Sequence, residues 1–146
     1  MRGISIRVAA TGEWELVVGL LEQTGLDASD VDLLGTTFHI AVAGNAIAGC
    51  AGTERHGDTA VVGPVAVLPE HRDRGIASHL VRAALMRARA GGCRRAVFLS
   101  SLCASYFSRH GFLLTPRSAL PTEVRASKTY LRQESLAPLC MTCDLT

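Results

Sequence analysis

The stretch of sequence that decides the fold runs from residue 65 to residue 78 and reads Val65-Ala66-Val67-Leu68-Pro69-Glu70-His71-Arg72-Asp73-Arg74-Gly75-Ile76-Ala77-Ser78. Its apolar first part predicts a strand, and the helical spacing of the apolar residues that follow predicts a helix. The first N–H groups of a helix have no partner inside the helix, and the helix dipole favours an anion beside them. Gly75 allows the backbone to approach that anion closely, and Ala77 keeps the next turn slim. The turn therefore suits a pyrophosphate, and Arg72 and Arg74 add positive charge, although an ordinary basic turn between a strand and a helix has the same composition.

The remaining sequence predicts a mixed sheet with helices packed on it. We expect strands at 4–8, 38–43, 46–53, 59–68, 96–99 and 139–145, and helices at 11–25, 29–34, 75–90 and 104–110. Turns at 44–45 and 56–58 connect three of these strands as antiparallel hairpins. Pro116 and Pro121 break up the tail before the last strand.

Length and composition predict one compact domain that covers residues 1–146. The chain is 48% apolar and 19% charged, which is typical of a globular protein. A net charge of +2 is too small to indicate a nucleic-acid-binding protein. No apolar run approaches the ~18–20 residues of a membrane span, and no apolar leader follows Met1. We therefore expect a cytoplasmic protein with neither nucleic-acid nor membrane partners.

Two motifs together resemble the GNAT N-acetyltransferase superfamily. Arg72-x-x-Gly75-x-Ala77 resembles its acetyl-CoA signature, and the segment 106–112, which ends in Gly111-Phe112, resembles its second signature. The resemblance covers nearly the whole chain and implies the GNAT fold, an α+β arrangement of a mixed, mostly antiparallel sheet with helices on both faces. It also implies that acetyl-CoA is a substrate, with its pantetheine arm paired to strand backbone and its pyrophosphate held by the turn. The implied cofactor-binding residues are Val65, Ala66, Val67, Arg72, Arg74, Gly75, Ile76, Ala77 and Ser78.

Gly63-Pro64 indicates a local break in the strand that leads to this turn. Proline cannot donate to a sheet ladder, so it occurs at a sheet edge or at a bulge. In the family that the chain resembles, this strand parts from its neighbour and the cofactor enters the gap. A plain edge strand would explain the same two residues.

Two narrower resemblances concern the acceptor. The segment 52–62 is similar to the arsenic-resistance N-acetyltransferase-like branch. The tail, with Leu120-Pro121, Tyr130 and the segment 132–135, is more similar to N-acetylglutamate synthase. Both resemblances imply an amino acid or an amino-acid mimic as the acceptor.

Glu54 is the best candidate for a general base. Acetyl transfer requires a neutral amine, and an α-amino group has a pKa of about 8, so a base or a water relay helps near neutral pH. The strand positions that the family favours, Val62 and Gly63, carry no carboxylate, whereas Glu54 ends a predicted strand beside the gap. Two alternatives remain open: Glu54 is a solvated strand end, or His56 in the turn serves instead.

The candidate general acid for the departing CoA thiolate is Tyr106. Many family members place a tyrosine four residues before the Gly of Gly-Phe, and here that position is Phe107. Tyr106 is adjacent but lies ~100° away around a helix. Ser100, Ser101 and Cys103 are in the same neighbourhood, and a thiolate of pKa ~8.5 can also leave without an acid.

The five cysteines are an odd number and lie far apart, so we expect free thiols. The spacing of Cys140-x-x-Cys143 suits a soft metal or a disulfide. A strand at this position would point the two side chains to opposite faces. We therefore expect two apolar sheet residues and no metal site.

The residues and the resemblance together predict an acetyl-CoA-dependent N-acetyltransferase that acts on the amino group of a small molecule. Its partners would be acetyl-CoA and that amine, and the chain could form a homodimer. Two alternatives remain. One is a non-catalytic acyl-CoA-binding module, which Phe107 and the empty base positions favour, and the other is a metal or arsenical sensor based on Cys140 and Cys143.

Overall fold

The protein is described by a computed structural model that covers residues 3–26, 28, 31, 34–99, 104–133 and 139–145. In these ranges the strands are β1 Ile4–Val8, β2 Thr36–Ala43, β3 Ala46–His56, β4 Thr59–Val67, β5 Arg95–Phe98, β6 Leu113–Pro116 and β7 Leu139–Asp144. The α-helices are α1 Trp14–Gln23, α2 Ile76–Ala90, α3 Ala104–Ser108, α4 Thr122–Arg125 and α5 Lys128–Gln133. None of these helices combines the length and the apolar character needed to cross a membrane.

The seven strands form one sheet in the order β1-β2-β3-β4-β5-β7-β6. The pairs β1–β2, β5–β7 and β6–β7 are antiparallel, whereas β4 and β5 run parallel. The sheet is therefore mixed and mostly antiparallel, and with its helices it confirms the predicted α+β class.

The chain divides into two compact units, and the first comprises residues 1–53 and 63–84. In this unit Val17 and Leu21 of α1 pack with Phe38 and Ile40 of β2. Ile76 and Leu80 of α2 pack instead with Ala41 and Val67. Because successive strand residues point to opposite faces, α1 and α2 cover different faces of the strands in this unit.

The second unit comprises residues 54–62 and 85–146. Its main core joins β4, β5 and β7 to the tail helices and contains Val61, Val97, Leu99, Leu120, Val124, Tyr130 and Cys140. An aromatic group lies beside β5, where the Phe107 ring stacks on Phe98 with 3.9 Å between ring centroids and meets Phe112 edge-on at 5.3 Å.

The C-terminal tail differs most from the prediction, because it contains β6, α4 and α5. Pro121 was expected to interrupt structure, but it precedes the first residue of α4, where a missing N–H is tolerated. β6 has only four residues and lies at the sheet edge with Leu113 and Leu114 exposed, so it shows no burial pattern that would predict a strand. The short helix predicted at 29–34 falls largely outside the described residues.

Candidate active site

The turn from β4 to α2, in the first unit, holds its shape through side chains of its own. A short 3-10 helix spans Pro69–His71, and Nε of Arg72 then donates to the carbonyl oxygen of Val67 at 3.0 Å. Nη1 of Arg74 lies 3.2 Å from Nδ1 of His71. Arg72 thus supports the turn as well as contributing charge, which the sequence had not indicated.

Gly75 leaves open space at the start of α2. Its φ is +77°, a conformation that favours glycine, and an added Cβ would meet only Cδ2 of His79, at 3.9 Å. The N–H of His79 donates to the Gly75 carbonyl at 3.1 Å, which is the first hydrogen bond of the helical i to i−4 pattern. The N–H groups of Ile76 and Ala77 come before this bond, in the first turn of α2. Ile76, 1% exposed, anchors this first turn in the core. The chain therefore presents a fixed helix N-terminus beside an open glycine.

The predicted cofactor-binding residues form one continuous segment of the first unit. Ala66 and Val67 are buried, Val65, Ala77 and Ser78 are partly buried, and Arg72, Arg74 and Gly75 are exposed. In the second unit, the parallel register between β4 and β5 covers Thr59 to Val61 only, opposite Arg95 to Val97. β4 continues to Val67, so its pairing with β5 stops before Gly63, where a break was predicted.

Glu54 is a buried carboxylate in β3, in the second unit. It was predicted to end a strand, but β3 continues to His56 because the hairpin closes only at the turn of residues 57–58. Its exposure is 8%. The Thr129 hydroxyl donates to Oε2, and Nε2 of His56 lies 3.2 Å from Oε1. Glu54 is therefore held between two polar partners and is not a solvated strand end.

The sequence had suggested His56 as an alternative base but not its contact with Glu54, and Thr129 was not foreseen. His56 was placed in the turn, yet it lies in β3 and is partly buried against Glu54. The spacing Glu54-x-His56 was the available signal, because residues two apart in a strand share a face. Thr129 lies 75 residues further along the chain on α5, and no local pattern connects it to Glu54.

Tyr106 and Phe107 occupy different surroundings on α3, as their angular separation predicted. Phe107 is 2% exposed and belongs to the aromatic group beside β5. Tyr106 is partly exposed, and its ring lies 5.2 Å from those of Phe107 and His110. Ser100, Ser101 and Cys103, the other proposed donors, fall outside the described residues.

Arg117 is a buried arginine that the sequence had not singled out. It is 5% exposed, its Nη2 donates to the carbonyl oxygen of Leu99, and its guanidinium carbon lies 5.6 Å from the centroid of the Tyr130 ring. Nε and Nη1 are buried and have no hydrogen-bond partner in the described part of the chain. Among the residues that the structure describes, no carboxylate pairs with this buried guanidinium.

Cys140 and Cys143 lie on β7 as free thiols with separate contacts. Sγ of Cys140 is 3.3 Å from the Thr115 carbonyl, and Sγ of Cys143 is 3.7 Å from the His110 carbonyl. Burial raises the pKa of both thiols, which disfavours the thiolate that a metal needs. Within the described ranges, no three His, Cys, Asp or Glu side chains are grouped so that they could hold a metal ion.

Comparison with known proteins adds independent findings. The model of the acetyltransferase (GNAT) family matches residues 13–112. N-acetylglutamate synthase from Neisseria gonorrhoeae, complexed with coenzyme A and N-acetyl-glutamate, superposes with a TM-score of 0.79 at 22% identity, covering 98% of this chain and 35% of that one. The chain thus spans about a third of that synthase.

Two further structures are similar over most of their own length. A GNAT-family acetyltransferase from Staphylococcus aureus Mu50 has a TM-score of 0.76 at 17% identity, covering 98% of this chain and 99% of that one. A GNAT-family acetyltransferase from Brucella melitensis, in complex with acetyl-CoA, has a TM-score of 0.68 at 23% identity, covering 77% of this chain and 84% of that one. At these identities the likeness establishes the fold alone. No curated protein matches the sequence.

Proposed function

Because the chain belongs to the acetyltransferase (GNAT) family, we propose that it transfers the acetyl group of acetyl-CoA to the amino group of a small molecule, an amino acid or an amino-acid mimic. The observation that carries the proposal is the turn between β4 and α2. The N-terminus of α2 is fixed, the space beside Gly75 is open, and Arg72 and Arg74 lie in the turn just before it. Such a turn suits the pyrophosphate of coenzyme A.

The turn and the preceding strand would divide the cofactor between them. The pyrophosphate would take the backbone N–H groups of residues 73–77, with Gly75 at the point of closest approach, because the Arg72 N–H already donates to the Pro69 carbonyl. The pantetheine arm would pair with backbone of β4 at Val65 to Val67, in the part of the strand that follows its ladder with β5. Arg74, which is exposed, would add attraction for the phosphates, whereas Arg72 would chiefly hold the turn through the Val67 carbonyl.

Glu54 would act as the general base. An ammonium group would lose one proton to the carboxylate, directly or through a water, and the neutral amine would attack the thioester carbonyl. An N–H of the strand at residues 65–67 would stabilise the oxyanion. Collapse of the tetrahedral intermediate would break the C–S bond and release CoA as a thiolate, and the nitrogen would lose its second proton to that thiolate or to water. Protonation of that thiolate by Tyr106 is an optional step, because a thiolate of pKa ~8.5 leaves without an acid.

The surroundings of Glu54 support this role. The carboxylate keeps hydrogen-bond partners on both oxygens, so it is oriented even though it is buried. His56 beside it offers a route by which the proton can leave towards solvent, since its side chain is 23% exposed. The similarity of the tail to N-acetylglutamate synthase, and that synthase's complex with N-acetyl-glutamate, support an amino acid as the acceptor.

A non-catalytic acyl-CoA-binding module is the second candidate. The observation in its favour is Phe107, which fills the family's usual acid position and is locked into the aromatic group beside β5. Release of CoA in the presence of an amine separates the two candidates. A binding module would retain acetyl-CoA and release no thiol with any acceptor.

The test is a screen of amino acids and polyamines with acetyl-CoA, read as free thiol, followed by pH–rate profiles of Glu54→Gln. Loss of a base should lower kcat/KM by ~10²–10⁴-fold near neutral pH, and the loss should shrink at high pH, where the amine is already neutral. Glu22→Gln, which changes an exposed carboxylate on α1, is the matched control and should leave the profile unchanged. If the Glu54→Gln and native profiles superimpose, Glu54 is not the base.

A further inference from the structure

We infer that Arg117 binds a carboxylate group of the acceptor. The inference rests on the proposed function for the identity of the acceptor, but the binding of an anion can be tested without any turnover. Its basis is a buried positive charge that the described part of the chain leaves without an acidic partner.

The guanidinium of Arg117 has unused hydrogen-bonding capacity. Within the described residues, its one hydrogen bond goes to a neutral group, the Leu99 carbonyl, and no carboxylate lies within salt-bridge distance. In the same described ranges, Nε and Nη1 have no hydrogen-bond partner. Buried charges are normally paired, because an unpaired one loses its hydration without compensation. An anion is the ligand that would satisfy this group.

The unused donors have the geometry of a carboxylate fork. Arginine presents five N–H groups, and two of them belong to Nη2. If Nη2 uses one N–H on Leu99, its other N–H still forms a complete edge with either Nε or Nη1. Such an edge matches the two oxygens of a carboxylate, whereas a carboxamide offers one acceptor oxygen and no charge.

The position of Arg117 suits an acceptor of the proposed reaction. Leu99 follows β5 and is two residues beyond Val97, where the parallel ladder with β4 ends. Arg117 lies over the ring of Tyr130 on α5. Thr129, the residue before Tyr130, donates a hydrogen bond to Glu54. Consecutive residues of α5 thus contact the proposed anion site and the proposed base. An α-amino acid carries its α-carboxylate and its amine on the same carbon, so one molecule would present both groups.

The enclosed position strengthens discrimination between ligands. Nε and Nη1 are closed off from water, so a carboxylate reaches them only after a local opening, and it then binds where charge-assisted hydrogen bonds are strong. The charge of Arg117 acts on neighbouring groups. Burial raises the pKa of Cys140, and the positive charge of Arg117 partly offsets that rise. A neutral amide in the same place would leave the charge unpaired.

The experiment compares L-glutamate with L-glutamine, which lacks the side-chain carboxylate, and with L-isoglutamine, which lacks the α-carboxylate. We expect Arg117→Met to lower kcat/KM by about 10²–10³-fold for the acceptors that present the recognised carboxylate, mainly through KM, and by less than about threefold for its amide. Arg117→Lys, which keeps the charge but loses the fork, should fall between. Arg125→Met, at an exposed arginine of α4, is the matched control. Equal losses for carboxylate and amide acceptors, or no loss, would overturn the inference.

A binding measurement on the native protein separates this inference from the proposed function. The ¹⁵Nε resonance of Arg117, assigned with Arg117→Lys, should shift saturably with L-glutamate in the absence of acetyl-CoA and should not respond to glutaramide. A saturable shift without acetylation of any acceptor would support the anion site and refute the proposed function. A resonance indifferent to L-glutamate, L-aspartate and glycine would refute the anion site even if acetylation occurs.

Discussion

Replacing Gly75 by alanine tests whether the turn before α2 binds a phosphate group through its backbone. Gly75 has a φ of +77° and open space where a Cβ would stand. Gly44, in the turn between β2 and β3, has a φ of +62° and nothing within 4 Å of an added Cβ. Alanine at either position meets the same backbone strain and no steric barrier from the protein. Gly44→Ala is therefore a matched control for Gly75→Ala.

The expected magnitudes follow from this geometry. A left-handed conformation costs an alanine about 1–2 kcal/mol. An unfolding entropy of about 2.1 cal/mol/K per residue converts this into a fall in Tm of about 3–7 °C for a chain of this length. Both variants should show that fall. If the Cβ of Gly75→Ala displaces a phosphate from one backbone N–H, the loss of about 1.5–3 kcal/mol weakens acetyl-CoA binding by about 10–150-fold.

Titration calorimetry with acetyl-CoA and thermal unfolding of both variants provide the assay. Gly44→Ala should bind acetyl-CoA like the native protein, within about twofold, while showing the same loss of Tm. Unchanged affinity in folded Gly75→Ala would refute the assignment of the turn to the cofactor. Equal losses of affinity in both variants would show that strain, and not a Cβ at the phosphate, is responsible.

Three further predictions concern stability and titration. Burial raises the pKa of the Cys50 thiol to about 12, so the thiol should resist a thiol reagent at pH 8 until urea unfolds the chain. The contribution of the neutral buried thiol to folding stability should be lost as pH rises from about 9 towards 12. Fast labelling of Cys50 in the native protein, detected by mass spectrometry, would contradict this. Gly52→Ala would place a Cβ 2.9 Å from the Gly63 carbonyl oxygen and 3.0 Å from a ring carbon of Phe38. Overpacking of this kind costs about 1–3 kcal/mol and should lower Tm by about 3–10 °C. An unchanged Tm would show that the strands separate easily to admit the methyl group. The paired guanidinium of Arg7 lowers the pKa of Glu13 to about 2, so Arg7→Gln should raise that pKa towards 4.5 in an NMR titration. The stabilisation by the ion pair should be present above about pH 4.5 and should disappear as pH falls towards 2. A Glu13 pKa that is the same in Arg7→Gln and in the native protein would rule the pair out.

The sheet and the form of the turn before α2 could be predicted because their signals are local. The alternation of apolar and polar residues identified β1. The pattern from Arg72 to Ala77 lies within one short segment, where the backbone conformation directly favours particular residue types, such as glycine at position 75. The turn at residues 57–58 was visible as well. Its flanking strand ended later than predicted because continued hairpin pairing, not composition, extends β3 through Glu54 to His56.

The candidate acceptor site could not be predicted in full because its contacts join distant parts of the chain. Glu54 was identifiable as a carboxylate near the gap, but its hydrogen-bond partner Thr129 lies on α5, in the tail that Pro116 and Pro121 were expected to break up. Arg117 offered no sequence signal, since arginine is common in this chain and usually exposed. Its significance comes from what surrounds it in three dimensions, namely the Leu99 carbonyl and the ring of Tyr130.

The anchoring of the turn before α2 has a thermodynamic consequence for ligand binding. Ile76 is fixed in the core, and Arg72 ties the turn to the end of β4. The conformational entropy of this segment is therefore lost during folding and not when a ligand arrives, which is the condition called preorganisation. Binding at such a turn proceeds without coupled folding, so its heat-capacity change reflects the ligand's own buried apolar surface and not newly ordered chain. In the proposed function, such a turn would exchange acetyl-CoA for CoA between cycles without reforming its binding surface each time.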